Sequence, residues 1–322
     1  MKIVITDSAT VSSGDLSFDF LKQFGEVTAY DLTAPEQLAE RIYDADILLC
    51  NKTPVNRQTI GEAKNLKYIG LFATGFNNID LELARQRNIP VCNVPGYSTD
   101  AVAQLTFAFI LELANRVCQY NGLVEKGDWI KSRTFSFFPI PLFELAGKTL
   151  GIIGYGSIGQ QVAKIARSFN MNVLYFNRSP KNNRTGCQVS LDRLLAQSDI
   201  VSLHCPLNKE SEKLINAETI AKMKQGAILI NTARGAVVDE QALADALSRT
   251  ELIYAVFLVT ELCALLELLS GDYGLEAALC GALVQICAVI AFELAVTFGA
   301  GHFVVDAVGL LLTDNRQELV QS

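Results

Sequence analysis

Three glycines at fixed spacing are the most chemically informative residues of this 322-residue chain. Gly154, Gly156 and Gly159 form a GxGxxG motif that encloses Ser157 and Ile158. Between a strand and a helix, such a turn lets the backbone approach a pyrophosphate. The helix N-terminus then offers free N–H groups to the phosphates. The motif therefore predicts a dinucleotide phosphate site, and the alternative is a glycine-rich turn with no ligand.

The residues on both sides of the motif decide between these alternatives. An apolar run at 150–153 precedes it, apolar residues at helical spacing follow between Val162 and Phe169, and a second apolar run covers 173–176. Strand, glycine turn, helix and strand within about thirty residues form the context that dinucleotide binding requires. The flanks therefore favour cofactor binding.

The end of the second predicted strand should select the cofactor. A carboxylate at this position holds the ribose 2′-hydroxyl of NAD, whereas a nearby arginine accommodates the 2′-phosphate of NADP. This chain has Asn177, Arg178 and Ser179 there, with no adjacent carboxylate to repel a phosphate. We therefore predict NADP(H) in preference to NAD(H). The alternative interpretation of Arg178 is an exposed arginine at a strand end.

Other candidate residues follow further predicted strands, at 68–72, 200–203 and 227–230. They are Thr74, Gly75, Cys205, Pro206, Thr232, Ala233 and Arg234. Ligands of open α/β sheets bind at the carboxyl ends of strands. A guanidinium there can hold a carboxylate by two parallel hydrogen bonds and polarise an adjacent carbonyl. Backbone N–H groups at a glycine turn can also hold a small carboxylate. The alternatives are a surface ion pair for Arg234 and an ordinary loop for Thr74 and Gly75.

Strand-like and helical patterns alternate over residues 1–95 and again from 148, which predicts an α/β protein with parallel sheets. Among the predicted helices are Leu16–Phe24 and a long apolar one at Thr99–Arg116, after a boundary at Pro95-Gly96. The aromatic stretch 121–143 is predicted to be irregular.

Composition limits the class of protein. A net charge of −7 argues against a nucleic-acid surface. The N-terminus has no apolar leader, and the 8 cysteines have no zinc-site spacing, so we expect reduced thiols in a cytoplasmic protein and no metal. The apolar stretch 277–298 is interrupted by Glu293, which disfavours a membrane span.

Four segments together resemble the D-isomer-specific 2-hydroxyacid dehydrogenase family, and most closely its glycerate dehydrogenase (hydroxypyruvate reductase) branch. They read ATGFNNID, ELAGKTLGIIGYGSIG, VSLHCPLNKESEKLIN and INTARGAVVDEQALADAL. The resemblance covers residues 1 to about 254. It implies reversible hydride transfer between a nicotinamide cofactor and a small 2-keto acid, here hydroxypyruvate or glyoxylate.

The resemblance also implies an architecture and residue roles. It implies two Rossmann-like domains, with a cofactor domain of 99–299 inserted into a substrate domain of 1–98 plus 300–322, and a homodimer formed through the cofactor domain and its first linker helix. Arg234 matches the arginine that binds the substrate carboxylate and carbonyl, and Thr74-Gly75 matches the carboxylate loop. Gly154, Gly156, Ser157 and Ile158 match the pyrophosphate turn, and Asn177 and Arg178 match the ribose selector. Cys205, Pro206, Thr232 and Ala233 match turns that line the cofactor.

The chain departs from the family pattern after residue 254. The family uses a histidine that protonates the carbonyl oxygen and a glutamate that holds this histidine. Cys263 falls at the glutamate position, and Glu261 serves only if the register shifts by two residues. Neither histidine of the chain, His204 or His302, lies at the expected place. The sequence thus leaves two functions open: a dehydrogenase, or a nicotinamide-binding protein with impaired turnover.

Overall fold

The computed structural model describes residues 1–180, 185–249 and 252–257. Met1–Ser98 form one compact unit, and a second unit begins at Thr99. The segment 300–322, where the chain is predicted to return to the first domain, lies outside the described residues. Glu261 and His302 lie outside them as well. The domain boundaries therefore remain a prediction.

The first unit contains a five-stranded parallel sheet. Its strands are β1 (Lys2–Ile5), β2 (Glu26–Ala29), β3 (Ile47–Cys50), β4 (Tyr68–Leu71) and β5 (Val91–Cys92). The order β2-β1-β3-β4-β5 is that of flavodoxin-like sheets, with the topological switch point between β1 and β3.

Helices α1 (Pro35–Ile42), α2 (Arg57–Glu62) and α3 (Leu81–Gln86) connect these strands. Proline begins α1, Asn56 caps α2, and Asp80 caps α3. The α-helix predicted at Leu16–Phe24 is wrong, because the structure has only a 3₁₀ helix at Asp19–Gln23. None of those five residues is buried, so no core contact offsets the entropic cost of a longer helix.

The second unit contains a six-stranded parallel sheet. Its strands are β6 (Thr149–Ile153), β7 (Asn172–Phe176), β8 (Cys187–Gln188), β9 (Ile200–Leu203), β10 (Ala227–Asn231) and β11 (Leu252–Phe257). The order β11-β10-β9-β6-β7-β8 is the dinucleotide-binding order of the Rossmann fold, with its switch point between β6 and β9. The predicted α/β class with two parallel, Rossmann-like sheets is confirmed.

The helices of the second unit are α4 (Thr99–Asn115), α5 (Val117–Glu125), α6 (Ser157–Ser168), α7 (Leu191–Gln197), α8 (Ala217–Ile220) and α9 (Glu240–Ser248). The predicted apolar helix is found as α4, which shares a buried core with α6. Arg116 adopts φ 54° and separates α4 from α5. The expectation of irregular structure from residue 121 is therefore wrong as far as Glu125.

Within the described ranges, no single helix has both the length and the apolarity needed to cross a bilayer. Only α4 and α5 taken together pass such a test, and they are bent by 53° with respect to each other.

Candidate cofactor and substrate site

The glycine turn joins β6 to α6 in a conformation that excludes larger residues. Gly154 has φ +96°, and a Cβ atom there would lie 2.5 Å from the backbone nitrogen of Cys205. A Cβ atom at Gly159 would collide with the carbonyl oxygen of Gly154, so this glycine lets α6 pack tightly against the turn. At Gly156, in contrast, a Cβ atom would meet nothing within 4 Å. The turn therefore presents an open backbone face to a phosphate group.

Helix α6 begins directly at this open face. Gly156 is its N-terminal cap, and Ser157 is its first residue. Both are exposed, whereas Ile158 is half-buried and packs against the core of the unit. The first N–H groups of a helix lack intrahelical acceptors and carry a partial positive charge. The predicted pyrophosphate residues thus form a cradle whose shape and polarity fit a dinucleotide.

A groove of about 470 Å³ lies along the turn. It brings together the predicted cofactor residues Gly154, Gly156, Asn177, Arg178, Cys205 and Pro206. The groove is at the switch point between β6 and β9, where open α/β sheets bind ligands. Its residues come from the ends of β6, β7 and β9, so the parallel sheet itself positions them.

Two uncharged side chains form the wall behind the turn. The His204 backbone N–H donates to the Ile153 carbonyl at 2.8 Å, and its Nε2 lies 2.9 Å from the Ser202 Oγ. Its Nδ1 is buried with no hydrogen-bond partner, and burial lowers the pKa of His204 to about 4. Burial also raises the pKa of the Cys205 thiol. Both side chains are therefore neutral at pH 7, and His204 is poorly suited to donate a proton.

Asn177 connects the glycine turn to the end of the groove that is predicted to hold the ribose. Its Oδ1 accepts a hydrogen bond from the Tyr155 backbone N–H at 3.1 Å, and its Nδ2 donates to the Ser179 carbonyl at 2.8 Å. The amide thus holds the loop through both its oxygen and its nitrogen. Arg178 is the side chain of the predicted selector that extends into solvent, with 67% of its surface exposed.

Arg178 forms an ion pair with Glu210, which also lines the groove. The sequence-based argument that no carboxylate lies near the selector is therefore wrong. Glu210 follows Arg178 by 32 residues and lies on the loop after β9, which also contains Cys205 and Pro206. No spacing rule connects the two positions, because only the adjacency of β6, β7 and β9 brings them together.

Arg234 follows β10 on a loop fixed by its neighbours. The Asn231 side chain accepts a hydrogen bond from the Ala233 N–H at 3.0 Å and donates one to the Arg234 carbonyl at 2.8 Å. The buried Thr232 hydroxyl lies 3.2 Å from that of Thr106 on α4. The exposed Arg234 guanidinium donates to the Ala233 carbonyl at 2.7 Å. In the part of the chain whose side chains are described, it forms no ion pair with a carboxylate.

Thr74 and Gly75 lie in the first unit, after β4. The Thr74 hydroxyl donates to the Val94 carbonyl at 3.0 Å, and the Asn93 amide donates to the Thr74 carbonyl at 2.7 Å. The Val94 N–H also donates to the Ala73 carbonyl at 3.0 Å. These contacts hold the predicted carboxylate loop in place, whereas Glu261 lies outside the described residues.

Asp7 is a buried residue that sequence reasoning missed. Its carboxylate accepts hydrogen bonds from the backbone N–H groups of Asn51, Lys52 and Thr53, at 2.9 Å for Asn51 and for Thr53. These groups meet at the switch point of the first sheet, between β1 and β3. The place where a flavodoxin-like sheet would bind an anion is therefore filled by the protein's own carboxylate.

Comparisons with known proteins identify the family of the chain. Residues 107–262 match the family model for the NAD-binding domain of D-isomer-specific 2-hydroxyacid dehydrogenases. The chain is 43% identical over 254 residues to a hydroxypyruvate reductase of Blautia hydrogenotrophica, covering 77% of this chain and 79% of that protein.

Solved structures show the same likeness. An acyclic imino acid reductase, Bsp5, in complex with NADPH and D-Arg, has a TM-score of 0.72 and 31% identity, covering 80% of this chain and 83% of the reductase. D-Lactate dehydrogenase of Aquifex aeolicus in complex with NAD and lactic acid has a TM-score of 0.71 and 27% identity, covering 96% and 94%. The second unit therefore contains the nicotinamide-binding domain of this family, and the chain belongs to the D-isomer-specific 2-hydroxyacid dehydrogenase family.

Proposed function

We propose that the protein catalyses reversible hydride transfer between a nicotinamide cofactor and hydroxypyruvate or glyoxylate. The observation that carries the proposal is the position of Arg234 relative to the glycine turn. Strand β9 lies between β6 and β10. The strands that precede Gly154 and Arg234 are therefore two interstrand spacings apart, which is about 10 Å. A 2-keto acid held by Arg234 therefore lies within reach of a cofactor whose pyrophosphate binds at Gly154.

Each site residue has a defined task in this proposal. Arg234 binds the substrate carboxylate by two parallel hydrogen bonds and polarises the keto oxygen, on which negative charge develops. In the first unit, the backbone N–H groups of Thr74 and Gly75 are the proposed contacts for a carboxylate. A reduced nicotinamide bound in the groove would supply a hydride for the keto carbon, and water would supply the proton that the keto oxygen gains. Glu261 is the second catalytic candidate, because it is the acidic residue nearest the expected position in the sequence.

For the cofactor we propose NADP(H) in preference to NAD(H). The support is Arg178, whose guanidinium lines the groove at the end of β7 and can pair with a 2′-phosphate. Structural neighbours bind either cofactor: the imino acid reductase contains NADPH, and the D-lactate dehydrogenase contains NAD.

We further propose a cytoplasmic homodimer. Five cysteines in the described chain are free thiols, as expected in a reducing compartment. Residues 117–138 expose several large apolar side chains in the second unit, and these include Val117 (62% exposed), Trp129 (52%), Ile130 (90%), Phe135 (93%) and Phe138 (75%). Exposed apolar surface of this kind favours association with a second copy.

A second candidate function is nicotinamide binding with impaired turnover. The observation that favours it is the state of His204, the one histidine within the described residues. Its pKa of about 4 leaves the imidazole without a proton to donate at neutral pH. General acid catalysis typically contributes about 10²–10⁴-fold to the rate, so a site without a proton donor would be slow.

Oxidation of NADPH and NADH by hydroxypyruvate and by glyoxylate, followed by absorbance, tests the proposal. We expect Arg234→Ala to lower kcat/KM by about 10²–10³-fold, because it removes the group that binds the carboxylate and polarises the carbonyl. The cofactor Kd should be unchanged. Arg193→Ala is the matched control, since Arg193 is exposed on α7 and its guanidinium donates to the Gln197 side-chain oxygen, away from the groove.

Unchanged kcat/KM in Arg234→Ala would overturn the proposed role of this arginine. If the natural chain binds NADPH without measurable oxidation by either keto acid, the second candidate function is supported instead.

A further inference from the structure

Glu210 lies opposite the ribose selector on a loop with little freedom. The Asn208 side chain accepts hydrogen bonds from the N–H groups of Glu210, at 2.9 Å, and Ser211, at 3.1 Å. The buried Ser211 hydroxyl donates to the Pro206 carbonyl at 2.6 Å and accepts from the Asn208 N–H at 2.8 Å. The loop is thereby tied to the turn at Pro206 that lines the cofactor groove, and Glu210 is held at the ribose end.

The Glu210 carboxylate and a cofactor 2′-phosphate would compete for one cation. Arg178 is the ion-pair partner of Glu210, and it is also the guanidinium available to a 2′-phosphate at the end of β7. A 2′-phosphate must therefore displace the carboxylate or approach it closely, and like charges repel. A ribose 2′-hydroxyl carries no charge, so NAD(H) binding requires neither event.

We propose that Glu210 is a specificity-determining residue that lowers the preference of this site for NADP(H) relative to NAD(H). The proposal rests on the proposed use of the groove as a nicotinamide dinucleotide site. Arg178 alone would favour a 2′-phosphate, and Glu210 reduces that preference by occupying the guanidinium. The ratio of the two affinities is thus determined by a pair of residues from two different loops.

The exposure of the pair determines the size of the effect. The side chains of Arg178 and Glu210 are 67% and 68% exposed, so solvent screens their attraction and the pair exchanges partners readily. The cofactor preference should therefore shift by a modest factor rather than switch completely. Because exposed charges are screened by ions, the shift should also decrease as salt concentration increases.

Titration of the full chain with NADPH and with NADH, followed by nicotinamide fluorescence, tests the inference without requiring turnover. We expect Glu210→Gln to lower the Kd for NADPH by about threefold to tenfold and to change that for NADH by less than about twofold. The gain should decrease in high salt. Glu212→Gln is the matched control, because Glu212 is an exposed glutamate two residues away that does not line the groove.

The outcomes separate this inference from the proposed function. If Glu210→Gln had the same Kd as the natural chain for NADPH and also for NADH, the proposed role of Glu210 would be overturned, and the cofactor site would remain as proposed. Failure of the natural chain to bind either cofactor would overturn both. A parallel loss for NADPH and NADH in Glu210→Gln would indicate a general loop defect and also contradict selectivity.

Discussion

At the scale of single residues, His204 shows how the packing of the cofactor turn sets a protonation state. Burial of the imidazole lowers its pKa from an ordinary value of 6.5 to about 4. Between pH 6.5 and pH 4 the imidazole is protonated in the unfolded chain and neutral in the folded chain. Acidification over this range therefore lowers the free energy of unfolding. We expect a loss of about 2 kcal/mol between pH 7 and pH 5 from this residue. Urea unfolding at both pH values measures it.

Carboxylates titrate over part of the same pH range, so the test depends on a comparison between variants. His204→Gln retains an amide that can contact the Ser202 hydroxyl but cannot take up a proton. The unfolding free energy of His204→Gln should therefore fall less between pH 7 and pH 5 than that of the natural chain. Equal pH dependence in the two proteins would show that the imidazole does not remain neutral in the folded state.

At the scale of elements, the turn between β6 and α6 contains one glycine that the fold requires and another that only cofactor binding is expected to require. Gly154→Ala forces a side chain into φ +96° and against Cys205, so we expect it to destabilise the fold by about 2 kcal/mol or more and to abolish NADPH binding. Gly156→Ala meets open space at φ −78°, so the fold should be retained. Its methyl group would nevertheless occupy the space predicted for the pyrophosphate. We expect NADPH affinity to fall at least tenfold.

Thermal unfolding without cofactor and NADPH titration, applied to both variants, measure these two effects separately. Gly61→Ala on α2 is a control glycine with open space around it and no part in the groove. Normal NADPH affinity in Gly156→Ala would contradict the assignment of this backbone face to the pyrophosphate.

The same elements show what sequence patterns can and cannot predict. The glycine turn was predictable, because each of its glycines is required by a local feature: a positive φ, close packing or the start of a helix. These features lie within six consecutive residues. The 3₁₀ helix at Asp19–Gln23 was not, since helical spacing at Leu16–Phe24 does not reveal whether those apolar residues find a core. The pairing of Arg178 with Glu210 was beyond any spacing rule, because strand order creates it.

At the scale of the whole molecule, the switch point of one sheet is filled by a side chain, and that of the other is open. In the first sheet, Asp7 fills the crevice between β1 and β3 with a carboxylate that accepts three backbone N–H groups. In the second, the crevice between β6 and β9 opens into the groove that contains Gly156. The switch point of the first sheet is therefore occupied, and the proposed ligand contact of this unit is the loop at Thr74 and Gly75 instead.

Association of two chains is the last property that the structure allows to be tested. Phe135 is 93% exposed and Ile130 90%, on a segment held by hydrogen bonds from Trp129 to the Phe135 carbonyl and from Tyr120 to the Ile140 carbonyl. If this surface forms the proposed dimer, Phe135→Glu would bury an unpaired charge there and should shift the mass in solution toward the single-chain value of 35.1 kDa. Sedimentation equilibrium measures that shift. Phe20→Glu, at a phenylalanine 62% exposed in the first unit, should leave the mass unchanged. A natural chain that sediments as a monomer at every concentration would contradict the proposal, as would a Phe135→Glu variant that remains dimeric.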